Sequence, residues 1–334
     1  MTTTAVSLSP LIACLESYIN PAIPVGTMLS NDAEAPALHL IPSPTLSKLR
    51  NLGPARVKDM RILGHSKQIL SHIPITANAA TCAKFNDALY ASIQLKSEKL
   101  AALAMLPADG KEAARELRRC VTKMKFVGGV VTIGPGTSLH EGFDELWDMA
   151  EKYRVPIAVR NLWPTEGELS SYQVDPTNTA VAPLATNMHT SHNHSPLPFL
   201  HLYLSSVFDR HPNLRLVFSH PGLLPSLLPR IETILASIPA ADLPKRPYLD
   251  VWQHNIYLTT VDVLDISTMR TLLEQIPIDR VLYASNYPLE ERGKEMMEEL
   301  KDSGFLTSEE WDRVAWKNAE FLFWSNNAAG KKKV

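Results

Sequence analysis

Arg280-Val-Leu-Tyr-Ala-Ser-Asn-Tyr-Pro-Leu-Glu290 is the stretch from which the fold of this chain is read. Val281 to Ala284 form a short apolar run that stops at Ser285, Asn286, Tyr287 and Pro288. A buried strand that delivers polar groups at its C-terminal end is the layout of an active site in a (β/α)8 barrel. Seven further apolar runs precede it, at residues 11–16, 60–64, 100–107, 127–134, 155–160, 214–220 and 255–260, and the eighth spans 281–285. Most are continuous rather than alternating, as expected of strands covered on both faces.

The segments between them read as amphipathic helices. Residues 111–125 place Ala114, Leu117, Cys120 (or Val121) and Met124 on one face, and residues 144–153 and 223–238 behave alike. Strand–helix alternation repeated about eight times predicts a single distorted (β/α)8 TIM barrel with right-handed crossovers. It would fill residues 1–328, with 329–334 as a disordered basic tail. A doubly wound open sheet is the competing architecture, but no GxGxxG or GxxxxGK[ST] loop follows any strand. Two segments exceed a minimal barrel. Residues 21–50 form an excursion over the mouth, and residues 161–198 form a long loop carrying His189, His192 and His194.

Composition narrows the class. The chain has 334 residues, 45% of them hydrophobic and 20% charged, with a formal net charge of −2. Nothing in that balance attracts nucleic acid or an anionic membrane. Cys14, Cys82 and Cys120 form no CxxC pair and no disulfide framework, which points to a reducing, cytoplasmic setting. No signal peptide and no membrane-spanning apolar run is expected.

Strand ends define the candidate site, because in this fold they share one mouth. They supply Glu16 with Tyr18 beyond it, His65, Met105, Thr132, Arg160, His220, Thr259 and Thr260, and Asn286. Trp163 and Phe199 are candidate walls for an aromatic pocket, each equally readable as core, and Arg230 reads as a surface residue. The histidine cluster reads as a solvated loop, since its spacing matches no ligand motif.

Three ordered stretches carry a family resemblance: residues 113–120 (Ala-Ala-Arg-Glu-Leu-Arg-Arg-Cys), 207–222 (Val-Phe-Asp-Arg-His-Pro-Asn-Leu-Arg-Leu-Val-Phe-Ser-His-Pro-Gly) and 279–290. The chain resembles the decarboxylase branch of the amidohydrolase superfamily over nearly its whole length. The resemblance implies a metal-binding acid ending the first strand, matched by Glu16, and a histidine two residues on, where Tyr18 stands. It implies a histidine ligand where Arg160 stands and a metal-binding aspartate where Asn286 stands. Of an expected His-x-Gly-Glu after the sixth strand, His220 and Gly222 are present, but Leu223 replaces the glutamate.

Arginine does not deprotonate in proteins, so Arg160 cannot be a ligand, and it adds positive charge where an ion would sit. The sequence therefore leads to an expectation of no cofactor, with one zinc or manganese ion as the alternative. The leading functional reading is a carbon–carbon lyase. It would be a non-oxidative decarboxylase of a small aromatic or polyketide-derived acid, in which Arg160 holds an anionic oxygen and His220 protonates the ring carbon. Glu16 would balance Arg160 or act as a base, and Tyr18, His65, Trp163 and Asn286 would contact the substrate. The alternatives are a metal-independent cyclase or isomerase acting on a reactive secondary-metabolite intermediate, and a catalytically inactive binding homologue with a buried polar plug. Family habit suggests a homodimer.

Overall fold

The computed structural model describes residues 10–23, 40–75, 77–134, 137–164, 166–169, 172, 181, 184–188, 196–220 and 225–329. Within them the eight strands lie side by side in chain order: β1 (Leu11–Tyr18), β2 (His65–His72), β3 (Leu100–Met105), β4 (Gly128–Ile133), β5 (Ile157–Asn161), β6 (Leu216–Phe218), β7 (Ile256–Thr259) and β8 (Val281–Leu282). Every neighbouring pair from β1 to β8 is parallel. The sheet closes on itself through Cys14 N–H donating to Tyr283 O at 2.9 Å and Ser17 N–H donating to Tyr287 O at 2.9 Å. A closed parallel sheet with helices between its strands is the (β/α)8 barrel the strand pattern predicts.

Alternation along the strands sorts the core into layers. Ile12, Cys14, Ile69, Leu103, Val130, Ala158, Val217, Tyr257 and Leu282 fill the barrel interior, and Ala319, Leu322 and Phe323 of the helix Asn318–Ala329 pack against them. Val131, Ile157, Val159, Leu216 and Leu258 face outward into the helical layer. A third cluster, including Ile19, Ile73, Met105 and Trp163, roofs the C-terminal end on the β1–β3 side. The three cysteines are free and buried. No helix among the described residues is long and apolar enough to cross a membrane.

One predicted strand is displaced. Residues 60–64 form the end of a helix, Pro54–Ile62, and a turn at Gly64 with φ 72°. The strand proper is His65–His72, His-Ser-Lys-Gln-Ile-Leu-Ser-His. Its polarity conceals it: Gln68 bonds Arg56 in the helical layer, and Ser71 serves the mouth. Pro54 at the first turn, with its φ already helical, starts the helix just before the run that reads as a strand.

Gly128 and Gly129 open β4 because two walls meet there. A Cβ at Gly128 would stand 2.5 Å from the carbonyl oxygen of Pro156. Gly128→Ala is expected to lower the free energy of unfolding by about 1–3 kcal/mol, read from urea denaturation. An unchanged midpoint would mean that the backbone around Pro156 yields freely.

Candidate active site

The mouth is organised by an irregularity in β1. Its register with β2 slips between Ala13 and Glu16, and Leu15 adopts a left-handed φ of 59°. That conformation costs a non-glycine residue about 1–2 kcal/mol. The slip aims Glu16 at the chain leaving β8. Glu16 Oε1 accepts from Ser285 N–H at 2.8 Å, Oε2 accepts from Tyr287 N–H at 2.6 Å, and Ser285 Oγ donates to the carboxylate at 3.1 Å. Burial pushes the Glu16 carboxyl up to about 7, opposed by these donors and by the Arg56 guanidinium. The sequence reads Glu16 as a catalytic partner of Arg160. The structure commits both its oxygens to the β8 connection, and Arg160 feels Glu16 as a nearby charge rather than as a hydrogen-bond partner.

Ser17, the next residue, turns toward the mouth and meets Arg160. Arg160 Nη2 donates to Ser17 Oγ at 3.2 Å, and Nη1 donates to Ser71 Oγ at 3.1 Å and His72 O at 3.0 Å. Residues from β1, β2 and β5 thus hold one guanidinium. It is 3% exposed, and its Nε–H has no hydrogen-bond partner. Burial lowers its pKa to about 10, with Glu16 opposing, so it stays charged at neutral pH. A held, charged fork with an unused donor is suited to a carboxylate or phenolate oxygen.

On the neighbouring strand, Val159 aligns with Phe218, which places Ser219 level with Arg160 and His220 just past it. His220 Nδ1 lies 3.1 Å from Asp262 Oδ1, with the imidazole side chain 5% exposed. A carboxylate only accepts, so Nδ1 carries the proton and Nε2 is the atom left for chemistry. Asp262 is absent from the sequence candidates. It stands beyond the end of β7, whereas the resemblance directs attention to position 223 for the carboxylate that orients His220. Leu223 lies outside the described residues. Glu290 stands in the same electrostatic neighbourhood: burial raises its pKa, His220 opposes the rise and Asp262 adds to it. Asn286, 4% exposed with φ 58°, keeps an unpartnered Nδ2 donor at the end of the barrel-closing segment.

The remaining candidates separate from the mouth. His65 begins β2 instead of following it, so it lies at the N-terminal end of the strand. There it bonds Tyr283 Oη at 3.0 Å and Gln68 at 2.9 Å, and burial holds its pKa down to about 3. Tyr18 turns into the helical layer, edge-on to His72 with ring centroids 5.0 Å apart. Thr259 donates to Ser219 O, and Thr260 exchanges hydrogen bonds with Ala284 at 3.1 and 3.2 Å, so both staple strands together. Trp163 belongs to the roof with Met105. Phe199 packs among Phe208, Phe218, Tyr248 and Trp252 in the outer core. Arg230 is exposed, and His189, His192 and His194 lie outside the described residues.

Comparison with known proteins gives one direction. A family model described as Amidohydrolase matches residues 53–323. The chain is 33% identical over 330 residues to Decarboxylase orsB of Emericella nidulans, covering 94% of this chain and 96% of that protein. It is 27% identical over 263 residues to a gamma-resorcylate decarboxylase of a Rhizobium species, covering 73% and 79%. A dihydroxybenzoic acid decarboxylase from Polaromonas, solved with manganese and 2-nitroresorcinol, superposes with a TM-score of 0.76 at 22% identity, covering 97% and 99%.

The Polaromonas manganese corrects the expectation that no cofactor is used: it points to a divalent metal rather than none. The donors among the described residues do not fit such an ion. Glu16 is committed to β8, Arg160 brings a cation, and no group of three or more His, Cys, Asp or Glu side chains among the described residues could hold one.

Between pH about 4.5 and about 7 the unfolded chain releases the Glu16 proton while the folded chain keeps it. The contribution of Glu16 to stability therefore falls as pH rises through that window. Urea unfolding of wild type and Glu16→Gln at a series of pH values should show the stability difference moving against wild type from the acid end to the neutral end. A difference independent of pH would show that the buried carboxyl titrates normally.

Proposed function

The chain belongs to the amidohydrolase family, and from that premise we propose that it is a carboxy-lyase. It removes the carboxyl group of a small hydroxylated aromatic acid as carbon dioxide, without an oxidant. The observation that carries this reading is the His220–Asp262 pair just past β6, on the strand next to the one that carries the held guanidinium of Arg160. The two groups are a proton donor and an anion holder, the parts needed to exchange a carboxylate for hydrogen. The decarboxylases similar to this chain support the same reaction class.

In this scheme Arg160 takes an anionic oxygen of the acid through its fork. The geometry of the fork is fixed by Ser17, Ser71 and the carbonyl of His72. A ring hydroxyl pushes electron density to the carbon that bears the carboxylate. His220 Nε2 delivers its proton to that carbon, and the carbon–carbon bond then breaks. Its electron pair returns to the ring and carbon dioxide leaves. One proton is consumed and no electron is exchanged. Asp262 holds the imidazole in register and stabilises its charged form, and Asn286 Nδ2 is placed to donate to a phenolic oxygen.

Incubation with ortho-hydroxybenzoic acids in heavy water tests the scheme. Carbon dioxide should be released and one deuterium should appear at the carbon that lost it. A product of unchanged mass would replace decarboxylation by cyclisation or isomerisation. His220→Ala should lower turnover by about 10²–10⁴-fold with the fold intact. Arg160→Lys keeps the charge but loses the planar fork, and should cost about 10²-fold. If both variants retained wild-type turnover, the chemistry would lie elsewhere.

A further inference from the structure

The phenol of Tyr287 reaches from the barrel-closing segment to a helix that precedes β2, and the decarboxylation scheme gives it no part. Tyr287 is 1% exposed. Its Oη donates to Asp59 Oδ2 at 2.6 Å, and the Arg56 guanidinium lies over its ring, 4.9 Å from the centroid. Arg56 and Asp59 both belong to the helix Pro54–Ile62, so one helix grips the ring by its face and by its tip. Lys48, from the helix Ser43–Arg50, has its Nζ 5.8 Å from the same centroid and is paired with Glu291 beyond β8. Burial pushes the Tyr287 phenol up, Asp59 adds to the rise and Arg56 opposes it, so Oη keeps its proton and donates. Burial lowers the Arg56 pKa to about 10, and Tyr287, Glu16 and Asp59 oppose the fall, so the guanidinium stays charged at neutral pH. A charge-assisted bond at the tip and a cation over the face together fix the orientation of a ring.

This grip closes on Ser17. Tyr287 O accepts from Ser17 N–H at 2.9 Å, and Arg56 Nη1 donates to Ser17 O at 2.9 Å. Arg56 Nε donates to Gln68 Oε1 at 2.7 Å, which ties the same guanidinium to β2. The backbone of Ser17 is thus held at its amide and its carbonyl by two residues stacked on each other. Ser17 stands just past the register slip of β1, where contacts from outside the ladder add to what fixes its direction. Its hydroxyl accepts from Arg160 Nη2 at 3.2 Å.

We propose that Tyr287 is a positioning residue for the anion-holding arginine: bonded to Asp59 and stacked on Arg56, it fixes Ser17, and Ser17 aims Arg160. The assignment rests on the reading of Arg160 as the group that takes the carboxylate. Loss of Oη frees the tip of the ring, and the displacement passes through one serine to the guanidinium. A holder displaced by a fraction of an ångström binds its anion less well.

Benzoate carries the carboxylate without the ring hydroxyl that the scheme requires, so it reports on the hold of Arg160 without turnover. Calorimetric titration of the full chain should show saturable benzoate binding in wild type, weakened about tenfold in Tyr287→Phe and in Asp59→Ala. Asp59→Asn keeps an acceptor oxygen and should bind as wild type does. Ser17→Ala should also weaken binding, and adding Tyr287→Phe to it should cost nothing further, because the two act through the same contacts. Circular dichroism and urea midpoints establish that each variant is folded under the titration conditions. Benzoate binding unchanged in Tyr287→Phe, or losses that multiply in the double variant, would overturn the assignment. Should wild type release carbon dioxide from ortho-hydroxybenzoic acids while Tyr287→Phe binds benzoate normally, the positioning role alone falls. Should the variants follow the expected pattern while wild type releases no carbon dioxide, the carboxy-lyase reading alone falls.

Discussion

The Glu16 carboxylate is the interaction on which the closed barrel and its mouth both depend. A parallel sheet of eight strands closes only if the first and last strands satisfy each other's backbone groups. Here the ladder between β1 and the β8 segment has backbone bonds at Cys14 and Ser17, on either side of the irregularity at Leu15. Glu16 fills the interval, accepting the amides of Ser285 and Tyr287 as a strand carbonyl would. Burying a carboxylate is costly, and donated hydrogen bonds offset that cost only when both oxygens are satisfied. Two amides and the Ser285 hydroxyl meet that condition, while Arg56 favours the charge from nearby.

The same irregularity decides which residues reach the substrate side. In a regular strand Glu16 and Ser17 would each keep the face set by strict alternation. The slipped register sends Glu16 toward β8, brings Ser17 to Arg160 and leaves Tyr18 among the helices. Arg160 then rests on two hydroxyls and a carbonyl rather than a carboxylate, so its charge is oriented without being neutralised. A guanidinium in that condition still attracts an anion. Strain at Leu15 is thus linked to how the Arg160 guanidinium is held.

His220 shows how an imidazole can be oriented from a distant part of the chain. Position 223 is a leucine, yet a carboxylate stands 3.1 Å from Nδ1, supplied by Asp262 beyond β7. An imidazole needs an acceptor at one nitrogen to present the other, and the chain position of that acceptor is immaterial. No group of three or more His, Cys, Asp or Glu side chains among the described residues could hold a metal, whereas the Polaromonas structure holds manganese.

Seven of the eight strands were legible in the chain because continuous apolar runs ending in polar residues have few other uses in a soluble protein. Arg160, His220 and Asn286 were legible as strand-end residues for the same reason. β2 was not, since its polar residues serve the mouth and the helical layer and so erase the apolar signature. His65 consequently looked like a residue at the mouth although it begins the strand. Sequence by itself determined the barrel, the family and the strand-end positions of Arg160, His220 and Asn286. Only the tertiary structure decided where Glu16 points and which carboxylate lies against His220. Those outcomes depend on a register slip within β1 and on contacts between loops distant in the chain, and neither leaves a local pattern in the amino-acid order.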